Sequence, residues 1–363
     1  MSYCDIVIPV WNEKALTQNC IERIKKHTRY PFRLIVIDNG SNKQTSDYLK
    51  DEKNKLTYSF VLIRNNENLG FLKAANQGFA QADSPYVCLL NNDTIVCERW
   101  LTDMIDIFNK REDIGVVNPS SNVLGQHANR ENLDDFAASL QSEKGTYQKM
   151  DFCRGFCMLV RRSLLDKIGL FDEIFDMGYF EEVDFCKRAQ KEGIICVRSK
   201  SSYVYHIDRT SFKGISDVNR LFQKNKIIFY RKWGKPLWIA FVVERRESAK
   251  PFVKMINILL DKGHKIVVLH KKGISLGEIE DHINVRKKEI GFPFLLTLFY
   301  KIVERKKPKR LKAIFAYSNA YIFLKYTKFM HRAEVFKNNE QDLLMDFCEK
   351  TSFDENYINE DIT

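Results

Sequence analysis

The 363-residue sequence lacks long apolar segments. Its longest apolar run, Ile290–Tyr300, contains Pro293 and Thr297 and falls well short of the roughly 20 residues that cross a bilayer. The first ten residues include Asp5 and have no basic segment, so we expect no secretory signal peptide. These absences predict a chain without a membrane span and a cytoplasmic location.

A disulfide framework and nucleic-acid-binding motifs are also missing. The nine cysteines are scattered and mostly lie within apolar runs, as is typical of small buried side chains in a reducing compartment. Cys153 and Cys157 have no second cysteine pair nearby, which argues against a zinc site. The net charge of +11 suits a nucleic acid, an anionic membrane or a phosphorylated substrate. Nucleic acid ranks last because no zinc finger, RNP motif or basic recognition helix is present.

What the sequence does have is a regular alternation of strand-like and helical segments over its first 95 residues. The apolar strand runs are Cys4–Val10, Phe32–Ile37, Tyr58–Ile63 and Tyr86–Leu90. Near-continuous apolar strands separated by helices predict a parallel sheet covered on both faces. Ligands collect at the carboxyl ends of such strands. Polar clusters fall there, namely Trp11–Glu13, Asp38–Ser41, Asn65–Gly70 and Asn91–Asp93.

The α/β pattern restarts after a break at Trp233–Pro236 (W-G-K-P). The segments that follow predict a strand, a helix and a strand: Leu237–Val243, Ala249–Asp261 and Lys265–His270. We therefore predict two α/β domains. Residues 1–235 would hold a mixed, mostly parallel sheet flanked by helices, and residues 236–363 a smaller Rossmann-like sheet with an acidic tail.

Two of the polar clusters contain candidate ligand-binding carboxylates. Asp93 follows a fully apolar strand, where a carboxylate can hold magnesium or manganese against a diphosphate. The alternative is an Asx turn that caps a helix after Thr94. Asp38 is placed to accept a hydrogen bond from a base or ribose, or simply to form the turn that follows its strand.

Further along, three carboxylates begin a predicted helix: Glu181, Glu182 and Asp184. Their mutual repulsion raises at least one pKa, which suits a general base near neutral pH. The alternative is an acidic first turn favoured by the helix dipole. His206 follows an aromatic strand and is either a ligand for a manganese-like ion or a satisfied core histidine.

Seven motifs follow one another within residues 3–232. They are I-V-I-P-V-W-N-E, D-N-G-S, N-L-G-F-L-K-A-A-N-Q-G, L-L-N-N-D-T, G-F-C-M-L-V-R-R-S-L-L-D-K-I-G-L-F-D-E, Y-F-E-E-V-D-F-C-K-R and Y-V-Y-H. Together they resemble glycosyltransferase family 2, in particular its rhamnosyltransferase-like branch. The resemblance implies a GT-A fold and inverting transfer of a sugar from a nucleotide diphosphate to an acceptor hydroxyl. It also implies a saccharide or lipid-linked acceptor in bacterial-type cell-surface polysaccharide or glycolipid synthesis.

The resemblance also implies roles for individual residues. The donor nucleotide sugar would be bound by Pro9, Val10, Asn12, Glu13, Asp38, Asn68, Gly70, Asn76, Asn91 and Asn92. Asp93 matches the last residue of a D-x-D metal motif whose first position is here Asn91, and His206 would complete the shell of Mn²⁺ or Mg²⁺. Glu182 occupies the position of the family's catalytic base, with Glu181 as the alternative. The strand from Gly155 to Arg162 would lie on the acceptor side.

Other interpretations make different predictions. A non-catalytic nucleotide-sugar-binding scaffold would point the Glu181–Asp184 cluster to solvent, away from Asp93. A sugar nucleotidyltransferase would carry a G-x-G-T-R-type loop where this chain has W-N-E. The segment Trp238–Lys272 resembles the opening strand–helix–strand unit of a GT-B glycosyltransferase, which implies a partial or accessory second domain.

A peripheral membrane contact is a further hypothesis. Ile290–Val303 precedes the basic run Arg305–Lys312, a pairing that can lie in a lipid headgroup layer. This requires Phe294, Leu295, Phe299 and Tyr300 to be exposed on one surface. An internal helix followed by a solvated charge run is favoured, because Phe292–Tyr300 has no polar stripe.

Overall fold

The computed structural model describes residues 3–55, 58–207, 218–245, 249–274, 279, 281–304, 310–316, 318–337 and 339–360. The chain divides into two compact units, Met1–Lys226 and Ile227–Thr363. The sequence places the boundary a little later, at residue 235, within the W-G-K-P break. That helix, Val218–Trp233, contains the division between the units.

The first unit contains a mixed α/β sheet flanked by helices. Its strands are β1 (Cys4–Val10), β2 (Phe32–Asn39), β3 (Ser59–Asn65), β4 (Tyr86–Leu90), β5 (Thr94–Val96), β6 (Ile114–Ser120), β7 (Tyr147–Met150), β8 (Cys157–Arg161) and β9 (Ile195–His206). Its helices are α1 (Lys14–His27), α2 (Lys43–Asn54), α3 (Phe71–Gln81), α4 (Trp100–Phe108), α5 (Leu133–Ser139), α6 (Arg162–Ile168), α7 (Glu181–Lys191) and α8 (Val218–Trp233).

Strand order in this sheet explains where the polar loops lie. The order is β3-β2-β1-β4-β8-β6-β9-β5, with β7 also paired to β9. The first four strands are parallel, as predicted, and β8 then runs antiparallel to β4. Every residue of β1 is buried, because helices cover both faces of this part of the sheet. The loops after β1, β2, β3 and β4 therefore emerge at one edge.

The segment after Asp93 forms a strand, so the predicted alternative of a helix capped at Thr94 is wrong. Strand β5 runs antiparallel to β9 and places Thr94 opposite His206. The sequence also predicts two strands, Ile194–Val197 and Tyr203–His206, where the structure has the single strand β9. The five residues between them, Arg198 to Ser202, are all polar, and the Ser120 hydroxyl donates to the Ser199 carbonyl at 3.0 Å. Polar residues in the middle of a buried strand hid its continuity.

The second unit has a five-stranded, all-parallel sheet of the predicted α/β class. Its strands are β10 (Trp238–Val243), β11 (Lys265–Lys271), β12 (Val285–Ile290), β13 (Ala313–Ala316) and β14 (Glu334–Lys337), in the order β12-β11-β10-β13-β14. Its helices are α9 (Ala249–Asp261), α10 (Phe294–Val303), α11 (Ser318–Tyr326), α12 (Lys328–His331), α13 (Gln341–Ser352) and α14 (Glu355–Asn359). One core cluster packs the sheet against α9 and α13, and another packs it against α10 and α11.

All nine cysteines are buried, as the sequence predicts, and their thiols are free. Burial raises the pKa of several of them, including Cys20 to about 12. Among the described residues, no helix is both long and apolar enough to cross a bilayer.

Candidate active site

A cavity of about 280 Å³ opens at the carboxyl edge of the first sheet. Loops that follow parallel strands form one wall, and the start of α7 with the end of β9 forms the other. The predicted site residues among its lining are Pro9, Val10, Glu13, Asn68, Gly70, Asn91, Asn92, Glu181, Glu182 and His206. Gly155, at the start of the predicted acceptor-side strand, lines it too. The fold thus brings together residues nearly 200 positions apart in the sequence.

The turn after β1 holds two residues in the left-handed region, Asn12 with φ 59° and Glu13 with φ 53°. This conformation is uncommon for residues other than glycine and persists only where surroundings hold it. Here the Asn12 amide donates to the Ser41 hydroxyl at 2.9 Å, and the Asn42 amide donates to Asn12 Oδ1 at 2.8 Å. Glu13 lines this cavity and also a neighbouring pocket, and Asn12 lines only the neighbouring pocket.

Asp38 and Asn76 lie behind the cavity wall. Asp38 is buried, its Oδ1 accepts from the Ser41 amide at 2.9 Å and its other oxygen pairs with Arg64. Asn76 exchanges two hydrogen bonds of 3.0 Å with the backbone of Phe171. Both side chains support the loops that line the cavity, and their direct contact with a nucleotide stays a prediction.

An asparagine cluster fixes the loop between β3 and α3. Asn39 donates to Asn68 Oδ1 at 2.8 Å, and the Gly70 amide donates to the same oxygen at 2.9 Å. Gly70 has φ 88°, and a Cβ there would lie 2.8 Å from Met177 Sδ, so only glycine fits. Asn39 also lines the cavity. The sequence analysis does not predict it as a site residue, although it is part of the D-N-G-S motif.

Asp93 and His206 form a pair beneath the cavity. Asp93 is 1% exposed, and its Oδ1 lies 3.1 Å from His206 Nε2. The His206 backbone makes two hydrogen bonds of 2.9 Å with the Asn122 side chain, and its ring stacks on Phe156 at 5.2 Å. The His206 side chain thus faces the cavity and contacts Asp93. This position differs from that of a histidine buried in the core.

Asn91 extends this pair. Its Nδ2 lies 3.4 Å from His206 Nε2, and its Oδ1 is buried without a hydrogen-bond partner among the described residues. An oxygen in that state is available to a hydrogen-bond donor or to a cation. Across the described part of the chain, no group of three or more His, Cys, Asp or Glu side chains is arranged to hold a metal.

Two carboxylates begin α7 and face the same cavity. Glu181 is 4% exposed, and burial, reinforced by the neighbouring Glu182, raises its pKa well above the ordinary value. Burial also raises the pKa of Glu182, opposed by local backbone N–H groups and by Arg154. One oxygen of each, Oε2, is buried with no hydrogen-bond partner in the described residues. Asp184 differs, because it pairs with Arg188 at 2.9 Å.

The segment that leads into α7 has a strained backbone. It is held by hydrogen bonds from Asn225, a residue that the sequence analysis does not predict. Tyr179 and Phe180 have φ 70° and 75°. Asn225 in α8 is fully buried, and its Nδ2 lies 2.6 Å from the Phe175 carbonyl and 2.7 Å from the Gly178 carbonyl. The only signal in the sequence is an asparagine on the face of α8 that also carries a buried phenylalanine.

Comparison with known proteins shows which protein family the first unit resembles. Residues 5–169 match the model of glycosyl transferase family 2. The first unit belongs to glycosyltransferase family 2. This unit has the GT-A fold: a crystal structure of GalNAc-T7 with UDP, GalNAc and Mn²⁺ matches 63% of this chain and 48% of its own, with a TM-score of 0.50 and 15% identity. At that identity the match shows the fold alone.

Two curated proteins are similar to this family 2 glycosyltransferase domain over longer segments. Hyaluronan synthase of Pasteurella multocida is 26% identical over 239 residues, which is 55% of this chain and 24% of that protein. Glycosyltransferase AglE of Haloferax volcanii is 24% identical over 200 residues, 53% of this chain and 63% of that protein. The chain therefore spans less than two thirds of the length of either relative.

Proposed function

We propose that this chain is an inverting, metal-dependent glycosyltransferase that moves a sugar from a nucleotide-diphosphate sugar to an acceptor hydroxyl. The observation that carries the proposal is one cavity lined by the raised-pKa carboxylates of α7 and by His206, whose Nε2 contacts the buried Asp93. Hyaluronan synthase, by its name a polysaccharide synthase, and glycosyltransferase AglE are similar to this chain. A saccharide or lipid-linked acceptor is therefore part of the proposal.

The donor would lie along the carboxyl edge of β1 to β4. Pro9, Val10, Glu13, Asn68 and Gly70 line the part of the cavity that would hold the nucleoside, and Asn91 and Asn92 would lie towards the diphosphate. Asp38 and Asn76 support these loops from behind through the hydrogen bonds described above. Rigid loops reduce the ordering cost of donor binding.

The side chains near His206 are suitable ligands for a divalent cation such as Mn²⁺ or Mg²⁺. Asp93 and His206 offer a carboxylate and an imidazole, and the unpartnered Asn91 Oδ1 offers an amide oxygen. Few protein ligands are usual where substrate phosphates complete the shell. When bound, the cation would neutralise charge on the departing diphosphate.

Glu182 would act as the general base, with Glu181 as the alternative. The acceptor oxygen forms a bond to the anomeric carbon while the bond from that carbon to the diphosphate oxygen breaks. The electron pair leaves with the diphosphate, the acceptor proton passes to Glu182, and a single displacement inverts the configuration. Glu182 suits this role because it is less buried than Glu181 and its carboxylate is stabilised by the nearby positive charge of Arg154.

Release of nucleoside diphosphate from a panel of nucleotide sugars tests the proposal. The assay is run with manganese, with magnesium and with a chelator, in the presence of saccharide or lipid-linked acceptors. We expect acceptor-dependent release with one donor that stops in chelator. Binding of a donor without release in any of these conditions would support the scaffold interpretation instead.

A further inference from the structure

One face of the second unit is covered by three helices. The inner sides of α10 and α11 pack on the sheet through Leu298, Ile302, Ala320 and Leu324. The two helices also contact each other, with the rings of Phe299 and Phe323 5.8 Å apart. Because both cover the same side of the sheet, their outer sides point in the same direction.

The outer sides of these helices are apolar. Phe292 just before α10 is 98% exposed, and Tyr326 and Phe329 are 80% and 78% exposed. The remaining exposed apolar side chains on this surface are Leu296, Tyr300, Val303, Ile322 and Met330. Residues 296, 300 and 303 form one stripe along α10, and residues 322 and 326 form another along α11. We call these eight side chains the outer apolar face.

This face differs from the one that the sequence hypothesis requires. Phe294 and Leu295 are partly buried and pack against the core, and Phe299 packs on Phe323, so only Tyr300 of the four required residues is strongly exposed. Residues 305–309 of the basic run lie outside the described residues. An apolar face of this size on a protein surface is characteristic of a binding surface.

Basic residues outnumber acidic ones around the outer apolar face. Of the described residues between Phe292 and Arg332, six are lysine or arginine and one, Glu304, is acidic. Lys301 pairs with Glu304, and Lys328 pairs with Glu334 just beyond this stretch. Lys325, Lys328 and Arg332 are exposed beside the apolar stripe of α11 and α12. Two copies of such a face would repel each other, whereas an anionic surface would attract it.

We propose that the outer apolar face docks onto an anionic lipid bilayer surface. The aromatic and aliphatic side chains would enter the headgroup region, and the flanking lysines and arginines would pair with lipid phosphates. Apolar burial and electrostatic attraction together give this kind of binding its strength. The site lies wholly in the second unit and is independent of the proposed transfer chemistry.

Co-sedimentation of the full chain with vesicles tests the proposal. Vesicles of phosphatidylcholine alone are compared with vesicles that also contain phosphatidylglycerol, each at low and high salt. We expect binding to the anionic vesicles that weakens in high salt. The double substitution Tyr326→Ser/Phe329→Ser should lower the partition coefficient by about tenfold or more, since it removes two of the most exposed aromatic rings.

Matched controls lie on the opposite side of the same sheet. Leu343→Ser removes an exposed leucine of α13, and Lys350→Glu reverses an exposed lysine there. These variants should bind as the unchanged chain does, while Lys325→Glu/Lys328→Glu should lose binding to anionic vesicles. Thermal unfolding verifies that every variant is folded.

Equal binding by the Tyr326→Ser/Phe329→Ser variant and the unchanged chain would overturn the proposal. A dimer in sedimentation velocity that these substitutions dissociate, together with no vesicle binding, would assign the face to a second copy of the chain and also overturn it.

Discussion

Replacing Glu181 with glutamine should stabilise the protein, and the gain should grow with pH. The folded state raises the pKa of this carboxyl because burial and Glu182 disfavour its charged form. Above the unfolded pKa of about 4.3, unfolding releases a proton from the neutral carboxyl, which favours the unfolded state. The loss of stability amounts to about 1.4 kcal/mol per pH unit until pH reaches the raised folded pKa.

The sign follows from linkage. A raised folded pKa gives stability that is complete below the unfolded pKa and is lost as pH rises to the folded pKa. Glutamine cannot ionise, so the Glu181→Gln variant escapes this loss. The variant and the unchanged protein should have nearly the same free energy of unfolding at pH 4. At neutral pH the variant should be more stable by about 1–3 kcal/mol, because burial can raise the pKa of a carboxyl enough to produce a difference of this size.

Urea unfolding of the two proteins across this pH range measures the effect. Glu112→Gln is the matched control, because Glu112 is exposed and its substitution leaves no buried charge behind. A gap that does not change with pH, or a Glu181→Gln variant that is less stable at neutral pH, would refute the argument that burial raises this pKa.

Three other substitutions test neighbouring parts of the account. Asp5→Asn should cost about 2–3 kcal/mol in urea unfolding, because Asp5 is buried, accepts two hydrogen bonds of 2.8 Å from Arg33 and two more from backbone amides. Burial alone would raise the pKa of Asp5, but these hydrogen bonds lower it. The stabilisation by Asp5 should therefore persist above about pH 3.9 and disappear as pH falls through the lowered pKa. An Asp5→Asn variant as stable at pH 7 as the unchanged protein would contradict this. Asn225→Ala should lower kcat about 10- to 100-fold with little change in the KM for the sugar donor, because it releases the segment that positions α7. The same kcat in the variant and the unchanged protein would show that Asn225 does not position α7. His206→Ala should raise the manganese concentration for half-maximal activity by about 10-fold or more, and an unchanged manganese requirement would count against His206 as a ligand.

The sequence was sufficient to predict the parallel part of the first sheet and the edge where ligands collect. Apolar runs such as Cys4–Val10 are buried on both sides, and their polar ends meet because parallel strands share one carboxyl edge. The pairing of Asp93 with His206 depends on the antiparallel contact of β5 with β9. Strand β5 has only three residues, too few for a periodic pattern to reveal it.

Burial and long-range hydrogen bonds were harder to predict. The D-N-G-S motif identified Asp38, but its carboxylate is engaged by Ser41 and Arg64, and Arg64 comes from the next strand. Asn225 acts on a segment about 50 residues earlier, so its place on the buried face of α8 does not by itself identify the carbonyls that it binds. On α10, the apolar composition was clear, but which side faces water depends on the packing of α11.

Side-by-side assays of the unchanged chain, Glu181→Gln and Glu182→Gln test the central claim most directly. Each protein is given the same nucleotide-sugar donor and acceptor, and donor binding and sugar transfer are measured separately. We predict that Glu182→Gln binds the donor as the unchanged chain does but transfers no sugar, because glutamine keeps the shape and cannot accept a proton. Full transfer by both glutamine variants would contradict the assignment of this cavity as a glycosyltransferase active site with a carboxylate base.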